Sequence, residues 1–296
     1  MPRVQIKPID TSNIKLDVTY AYNVEKAIWR KFNLNDGKSP TDRQNRVTMA
    51  NYAVQVNVPG MEDGEYDISL IGTGIGMRDP IFTREVLGAK SNQLMRTLQP
   101  KLVSRVILPS LHFLHAGNLV TYNNRGDAEP ICPNAEFIIP RAEWETAMSN
   151  HPFDAAAYRD VRADLKMLEK LGADVTLVDD DEADVGPGIK MERSGGVTPA
   201  NSTVVISCGS EKLMVSPLLF PTPFHIDPSV QFGFSMAQRE AYDEKARLLE
   251  KADRERQCIF FPMDPLRRAV YIDRDRSGNF VGQECDILSQ LDPLLQ

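Results

Sequence analysis

The sequence predicts an α/β protein built as a four-layer αββα sandwich. Two groups of β-rich segments are present, and helical stretches accompany each group, so two sheets with helices are expected. Each sheet must cover one face with the other sheet and the other face with helices, which favours four layers. The 296 residues, of which 42% are hydrophobic and 25% charged, show no repeat or interdomain linker, so one domain over residues 1–296 is expected.

The first sheet and its helix are expected in the N-terminal part of the chain. A glycine turn, Gly72–Gly76, follows the third predicted strand and comes before a predicted helix. That helix covers Thr83–Leu98, because apolar residues recur there at helical spacing and Pro100 ends it. Alternating or β-rich residues predict strands at Ile14–Tyr20, Arg46–Val58, Tyr66–Ile71 and Ser104–Pro109.

The second sheet is expected in the C-terminal half. Helices are predicted at Arg141–Met148 and Ala155–Leu171. A last helix is predicted to begin at a capping box formed by Ser235 and Gln238. Strands are predicted at Glu136–Pro140, Asp174–Val178, Ser202–Ser207, Lys212–Ser216, Gln257–Pro262 and Ala269–Asp273.

Charge and composition exclude several classes of partner. The formal charge is −7 and no long Lys/Arg run is present, so neither nucleic acid nor an anionic membrane is an expected partner. No export signal and no membrane-spanning apolar run is visible. The four cysteines form no CxxC pair, which favours reduced thiols and a cytoplasmic location. These cysteines are Cys132, Cys208, Cys258 and Cys285.

Two conspicuous motifs have plain explanations. The turn Gly72–Gly76 (GTGIG) follows a strand, but it does not match the GxGxxG pattern of dinucleotide-binding proteins, and no acidic residue follows where the ribose would need one. The acidic run Asp179–Asp184 (DDDEAD) is flanked by glycine downstream and is expected to be a solvated loop. Neither motif predicts a cofactor.

The histidine pair in Pro109–Asn118 (PSLHFLHAGN) is the main candidate for function. His112 and His115 come just after a predicted buried strand, where α/β proteins often hold reactive groups. By itself an HxxH pair is weak evidence for a metal.

In this histidine loop the chain resembles the metallo-β-lactamase superfamily, and in particular its lactonase-like and organophosphate-hydrolase-like branch. That family carries THxHxDHxG, then GHTPGH, then single Asp and His ligands. The resemblance covers nearly the whole chain and implies the metallo-β-lactamase fold. Further support comes from Trp29, Gln44–Ala50, Leu70–Gly76, Pro133–Glu145 and Phe220–His225.

Most metal ligands that the resemblance implies are missing. In the histidine loop Ser110 takes the place of the first His and Leu114 that of the Asp, while His112 and His115 remain. Leu, Val and Met offer no donor comparable to imidazole or carboxylate, so we expect no metal and no cofactor. At the later ligand positions stand Val197, Leu218 and Met263, and Gly72 replaces the turn Asp.

The apolar replacements leave two explanations open. They can simply fill the void that the metals left, because packing recovers the stability that an empty polar cavity costs. They can instead line a pocket for an apolar small molecule, such as a polyketide-like or acyl compound of secondary metabolism. The residues expected to line such a pocket are Phe113, Leu114, Val197, Leu218, Met263 and Asp264.

The leading functional hypothesis is therefore a metal-independent hydrolase, lyase or isomerase that performs acid/base chemistry on an apolar small molecule. His112 or His115 would be the general acid or base, and Ser110 is a weaker candidate nucleophile. The alternative is a non-catalytic protein that binds a ligand or a partner. A third hypothesis retains one weakly bound metal ion at the two histidines. The substrate and the oligomeric state do not follow from the sequence.

Overall fold

The computed structural model describes residues 4–24, 41–62, 64–76, 78–79, 81–89, 93–149, 151–266, 269–285 and 287. Trp29, one of the residues that support the family resemblance, lies outside these ranges. Within them, no helix combines the length and the apolar character needed to cross a bilayer.

Fifteen strands are present in the described part of the chain. They are β1 (Gln5–Asp17), β2 (Arg46–Pro59), β3 (Tyr66–Ile71), β4 (Val103–Ile107), β5 (Val120–Tyr122), β6 (Ala128–Pro130), β7 (Glu136–Pro140), β8 (Val175–Val178), β9 (Glu182–Gly186), β10 (Ile189–Arg193), β11 (Ser202–Cys208), β12 (Glu211–Val215), β13 (Cys258–Phe260), β14 (Ala269–Arg274) and β15 (Phe280–Glu284).

In the described ranges three helices have two or more turns, and the other helical segments are short. The longer helices are Arg141–Met148, Val161–Leu171 and Gln238–Glu255. Single α-helical turns occur at Val18–Ala21, Leu94–Thr97 and Phe113–Ala116. A π-helical segment covers Ile81–Val86, and 3-10 turns cover Pro100–Leu102, Pro152–Ala156 and Pro223–Ile226.

Two large sheets form the centre of the molecule. The first has the order β1-β2-β3-β4-β7-β8, in which β1, β2 and β3 are antiparallel and the strands from β3 to β8 are parallel. The second has the order β15-β14-β13-β12-β11-β10-β9, with only β12 and β13 parallel. β5 and β6 form a separate hairpin.

Successive side chains along the strands lie in two different apolar clusters, which confirms the four-layer sandwich. One cluster lies between the two sheets, and the other lies between the sheets and the helices. On β4, Ile107 packs between the sheets, whereas Val106 belongs to the other cluster. On β12, Leu213 packs between the sheets and Met214 does not. The helices supply the outer layers of apolar side chains, because a strand buried on both faces needs a partner on each. Among the helical residues in the outer cluster are Leu165, Leu168, Leu248 and Leu249.

The predicted helix over Thr83–Leu98 is wrong. This segment instead forms the π-helical turn Ile81–Val86 and the single α-helical turn Leu94–Thr97. Its backbone bonds to the edge strand β1: the Lys15 amide donates to the Leu87 carbonyl at 2.6 Å, and the Gln93 amide donates to the Thr11 carbonyl at 2.6 Å. Peptide groups that pair with a strand cannot also continue a helical ladder, so the tertiary contact overrides the apolar spacing.

The predicted capping box at Ser235 and Gln238 is also wrong. The helix begins at Gln238 with Ala237 as its N-cap, and no side chain caps it. The Ala237 amide donates to Gly196 and the Met236 amide donates to Val197, so this segment is held by the 196–197 loop. The acidic run also differs from a simple loop, because Glu182–Gly186 forms the edge strand β9.

The expectation that all four cysteines are reduced is wrong for one pair. Cys258 on β13 and Cys285, just after β15, form a disulfide. β13 and β15 flank β14, and the disulfide joins two cysteines that are 27 residues apart in the sequence. Cys132 and Cys208 are free. A spacing of this kind carries no pairing signal in the sequence.

Candidate functional site

The histidine loop follows the carboxyl end of β4, at the same edge of the sheet as the turn after β3. Its middle forms the helical turn Phe113–Ala116, and the His112 ring caps that turn because its Nδ1 accepts the Leu114 amide at 3.3 Å. The His115 carbonyl accepts the amides of Thr73 and Gly74 at 2.8 and 3.0 Å. Backbone bonds therefore fix the loop against the glycine turn.

A buried carboxylate joins this loop to the 196–201 loop. Glu143 Oε1 accepts the Leu111 amide at 2.9 Å, the Thr198 hydroxyl at 2.8 Å and the Ser110 hydroxyl at 3.2 Å. Burial raises the pKa of Glu143. Burial and the neighbouring Glu143 carboxylate also raise the pKa of Tyr158, which is fully buried beside it.

Ser110 is held by this network in a way that does not suit a nucleophile. Its hydroxyl donates to Glu143 and accepts the His112 amide at 3.2 Å. Among the described residues it makes no hydrogen bond to either imidazole ring, so neither ring is placed to take its proton.

The His112 ring is enclosed by aromatic side chains. It is 0% exposed, and its ring centroid lies 4.6 Å from that of Phe113, 6.4 Å from Phe232 and 5.1 Å from Phe234. Burial and the proximity of His115 lower the pKa of His112 to about 3. Since Nδ1 accepts a backbone amide, the proton of the neutral ring belongs on Nε2, and that N–H has no partner among the described residues.

His115 packs in the space that a side chain at position 72 would need. Gly72 has a φ of +72°, and a Cβ there would lie 2.2 Å from Cε1 of the His115 ring. Burial lowers the pKa of His115 to about 3, and its Nε2 has no partner in the described part of the chain. The absence of a side chain at position 72 and the position of this ring are therefore linked.

The four apolar replacements are all buried members of one core cluster. Leu114, Val197, Leu218 and Met263 are 1 to 2% exposed. The backbones of Met263 and Leu114 both bond to β2, at successive residues. The Ala50 amide donates to the Met263 carbonyl at 3.0 Å, and the Asn51 side-chain amide donates to the Leu114 carbonyl at 2.8 Å.

The other two replacements reach the same edge through their neighbours. Val197 comes directly before Thr198, which contacts Glu143. Leu218 lies between Ser216, whose hydroxyl accepts from Thr203, and Pro221, whose carbonyl accepts the Met263 amide. Distant segments thus converge at this edge.

Asp264 lies next to Met263 but has a local contact. Its Oδ1 accepts the Leu266 amide at 2.8 Å, as in a surface turn. Phe113, by contrast, is 3% exposed and contacts the rings of His112, Phe82 and Phe234.

Sequence reasoning missed the polar residues that organise the site. Asn51 is buried within the apolar strand β2, and it also accepts the Ile75 amide and the Thr11 hydroxyl through Oδ1. A lone Asn in an apolar strand was a usable signal, since a buried amide needs partners. Glu143 gave no such signal, because a Glu in an amphipathic helix is usually exposed. The aromatic residues Phe232 and Phe234 were missed as well.

The residues at this edge do not fit a dinuclear metal centre. The donors that remain are two imidazoles, and the other positions carry a serine bound to Glu143 and four apolar side chains. In the described ranges, no group of three or more His, Cys, Asp or Glu side chains could hold a metal ion. Zinc sites in proteins need three or four protein ligands.

Comparisons with known proteins bear on the fold. No protein-family model matches the chain, and no curated protein sequence matches it. Among solved structures it is similar to a probable metal-dependent hydrolase from Staphylococcus aureus, with 19% identity, a TM-score of 0.75, and coverage of 96% of this chain and 99% of that one.

Two further solved structures agree with the first. One is AidC, a dizinc quorum-quenching lactonase, with 15% identity, a TM-score of 0.68, and coverage of 96% of this chain and 97% of that one. The other is the hydrolase AbOPH in the beta lactamase superfamily, with 15% identity, a TM-score of 0.70, and coverage of 96% and 95%. At these identities the similarity concerns the fold, and this chain has the metallo-β-lactamase fold.

Proposed function

We propose that this chain is a non-catalytic binding protein with the metallo-β-lactamase fold, and that it binds an apolar molecule at the sheet edge that carries the histidine loop. The observation that carries the proposal is the burial of His112 and His115 among apolar side chains, with pKa values of about 3. A general acid or base works best with a pKa near the working pH, so these rings are poorly matched to such chemistry.

The binding surface proposed is a row of aromatic rings above His112. Tyr20, Phe234 and Phe82 form it around the buried Phe113, and the ring centroids in the order Tyr20, Phe234, Phe113, Phe82 are 4.9, 5.8 and 5.6 Å apart. Tyr20 is 49% exposed, and Ile81 beside Phe82 is 67% exposed. Exposed apolar side chains that adjoin a packed aromatic cluster are typical of binding surfaces.

Binding of a neutral apolar fluorophore, N-phenyl-1-naphthylamine, tests this surface. We expect Phe234→Ser to weaken binding about fivefold or more, because a large aromatic contact is lost. The control Leu171→Ser, which removes another partly exposed apolar side chain far from the row, leaves binding unchanged. Equal affinity of all three proteins, each checked for native circular dichroism, contradicts the proposal.

A second candidate is the metal-independent acid/base enzyme expected from the sequence. It is favoured by one observation, the unpartnered Nε2 atoms of both buried rings in the described structure. Turnover of lactone, ester or enol substrates that His112→Phe abolishes would support this candidate. Binding without turnover, unchanged in that variant, supports the binding protein.

A further inference from the structure

A second concave surface lies on the outer face of the first sheet, away from the histidine loop. It has a volume of about 220 Å³ and is formed between β1, β2 and β3 on one side and the 97–103 segment on the other. We call it the Lys7 cleft, after one of the residues that line it. Because it adjoins the amino ends of β3 and β4, it is separated from the histidine loop by the length of β4, on the order of 15 Å at about 3.3 Å per residue.

The polar side of the cleft is rich in hydrogen-bond donors. Gln55 donates from Nε2 to Asn57 Oδ1 at 2.7 Å, and Asn57 donates from Nδ2 to Gln5 Oε1 at 3.1 Å. Each of these amides has two N–H groups, so Gln55 and Asn57 each keep one N–H without a partner among the described residues. The chain of bonds fixes the orientation of both amides.

The polar side of the cleft also carries the positively charged side chain of Lys7. Lys7 lines the cleft, and its ammonium makes no ion pair or hydrogen bond in the described part of the chain. None of the described lining residues carries a carboxylate, although the whole chain has a formal charge of −7. The acidic side chain of Asp67, next to a lining residue, is paired with Arg105. The cleft is therefore a local donor-rich and positively charged surface on an acidic protein.

The opposite wall of the cleft is largely apolar. The 97–103 segment contributes Leu98, Leu102 and Val103 together with the polar residues Thr97 and Gln99, and Ile68 of β3 adds an apolar side chain on the sheet side. A cavity of about 150 Å³ is enough for a benzene ring, so this volume accommodates a ring or a short chain with one polar group. Apolar walls with a few fixed polar groups are typical of small-molecule sites.

We propose that the Lys7 cleft binds a small organic monocarboxylate with an apolar body, of the size of benzoate. The carboxylate contacts the Lys7 ammonium and the free amide N–H groups of Gln55 and Asn57, and the ring packs on Leu102 and Ile68, the apolar lining residues that present exposed surface. This proposal is independent of the aromatic row above His112 and goes beyond the proposed function.

Two-dimensional NMR of the isotope-labelled protein, titrated with benzoate and with its neutral isostere benzamide, tests the proposal. We expect benzoate to shift the resonances of Lys7, Gln55, Asn57 and Leu102 and to leave those of Tyr20 and Phe234 unchanged. Benzoate should bind about tenfold more tightly than benzamide, the factor that about 1.4 kcal/mol represents. Equal affinities of the two compounds, or no shifts at the cleft, overturn it.

Charge variants provide the second measurement. Lys7→Met keeps the apolar stem and should weaken benzoate binding about tenfold without changing benzamide binding, whereas Lys7→Arg should retain most of the affinity. Lys166→Met, an exposed lysine on the helix Val161–Leu171, makes the same change in net charge and should have no effect. Equal losses in Lys7→Met and Lys166→Met overturn the proposal, because they assign the effect to net charge alone.

Discussion

The chemistry of His112 and His115 is set by their surroundings more than by their residue type. An exposed histidine titrates near neutrality, but these rings lie in apolar surroundings where the charged form is disfavoured. Burial lowers both pKa values to about 3, so both rings are neutral at physiological pH. The two side chains that the sequence offers as acid/base groups are therefore buried and uncharged in the folded chain.

Glu143 is the residue whose loss should disturb the site most. In Glu143→Ala the Ser110 hydroxyl, the Leu111 amide and the Thr198 hydroxyl lose one shared acceptor in a buried place. We expect the free energy of unfolding in urea to fall by about 3 kcal/mol, since buried unpaired donors cost about 1 to 3 kcal/mol each and partly rearrange. Glu143→Gln, which keeps one carbonyl oxygen, should lose less. Glu145 is an exposed residue on the same helix, and Glu145→Ala should lower the free energy of unfolding by less than about 0.5 kcal/mol. Equal losses in Glu145→Ala and Glu143→Ala would contradict the role of Glu143 as a shared buried acceptor.

Gly72 and His115 should be energetically coupled. In Gly72→Ala the new Cβ would lie 2.2 Å from the His115 ring, on a backbone with a φ of +72°. We expect a loss of about 2 to 4 kcal/mol from strain and overpacking. In the His115→Ala background the same change should cost at least about 1 kcal/mol less, measured by a double-mutant cycle in urea.

A matched control separates the clash from the backbone strain. Gly126 has a φ of +84°, and a Cβ added there would have no atom within 4 Å, so Gly126→Ala should cost only about 1 kcal/mol. Additive effects of Gly72→Ala and His115→Ala would mean that the ring does not occupy the space in solution.

At the scale of elements, strands and helices were each predicted in part: the helix Arg141–Met148 has the predicted bounds, whereas β5, β6, β9, β10 and β15 were not predicted. Strands such as β3 and β7 are short apolar runs bounded by Gly or Pro, and the structure has them at Tyr66–Ile71 and Glu136–Pro140. The predicted helix over Thr83–Leu98 failed because β1, longer than its weak alternation indicated, binds that segment. The start of the last helix was misplaced because residues 236–237 bond to the 196–197 loop. Both errors arise from contacts between residues distant in sequence, which local patterns do not contain.

Lys245 gives the helix Gln238–Glu255 a measurable pH dependence. This lysine is 1% exposed, its ammonium donates to the Val230 carbonyl, and burial lowers its pKa to about 7. Because the pKa is lower in the folded state than in the unfolded state, the unfolded chain binds more protons between pH 7 and about 10. The free energy of unfolding therefore rises with pH across this window. The cost of burying the charged Lys245 ammonium is fully present below pH 7 and disappears as the pH rises to about 10.

Lys245→Met should remove this penalty. At pH 7 we expect the free energy of unfolding to increase by about 1 to 3 kcal/mol. The gain is smaller than the pKa shift alone would give, because the Val230 carbonyl loses its hydrogen-bond donor. The difference in the free energy of unfolding between wild type and variant should become smaller as the pH rises from 7 to 10. Urea unfolding at several pH values measures it, with Lys166→Met as the exposed control. A difference that does not vary with pH would show that Lys245 keeps an ordinary pKa.

At the scale of the whole molecule, the fold persists although the metal-binding residues that the family resemblance implies are absent. The two sheets supply the core through alternating side chains such as Ile107 and Val106, and this packing does not depend on the loops at the sheet edge. The edge itself is held by Glu143, Asn51 and buried apolar side chains. The sequence predicted, through the family resemblance, that Ser110, Leu114, Val197, Leu218 and Met263 stand at ligand positions. It could not identify the carboxylate and the aromatic rings around them, because those come from other segments that only the folded chain brings near.

Metal binding tests the central claim most directly. The purified chain is incubated with excess zinc, dialysed, and analysed for metal, and its melting temperature is measured with and without a chelator. We expect far less than one zinc per chain and an unchanged melting temperature, because a metal held only by the folded state would raise stability by mass action. Two tightly held zinc ions per chain, lost to a chelator together with several degrees of melting temperature, would contradict the account that this edge is packed protein core.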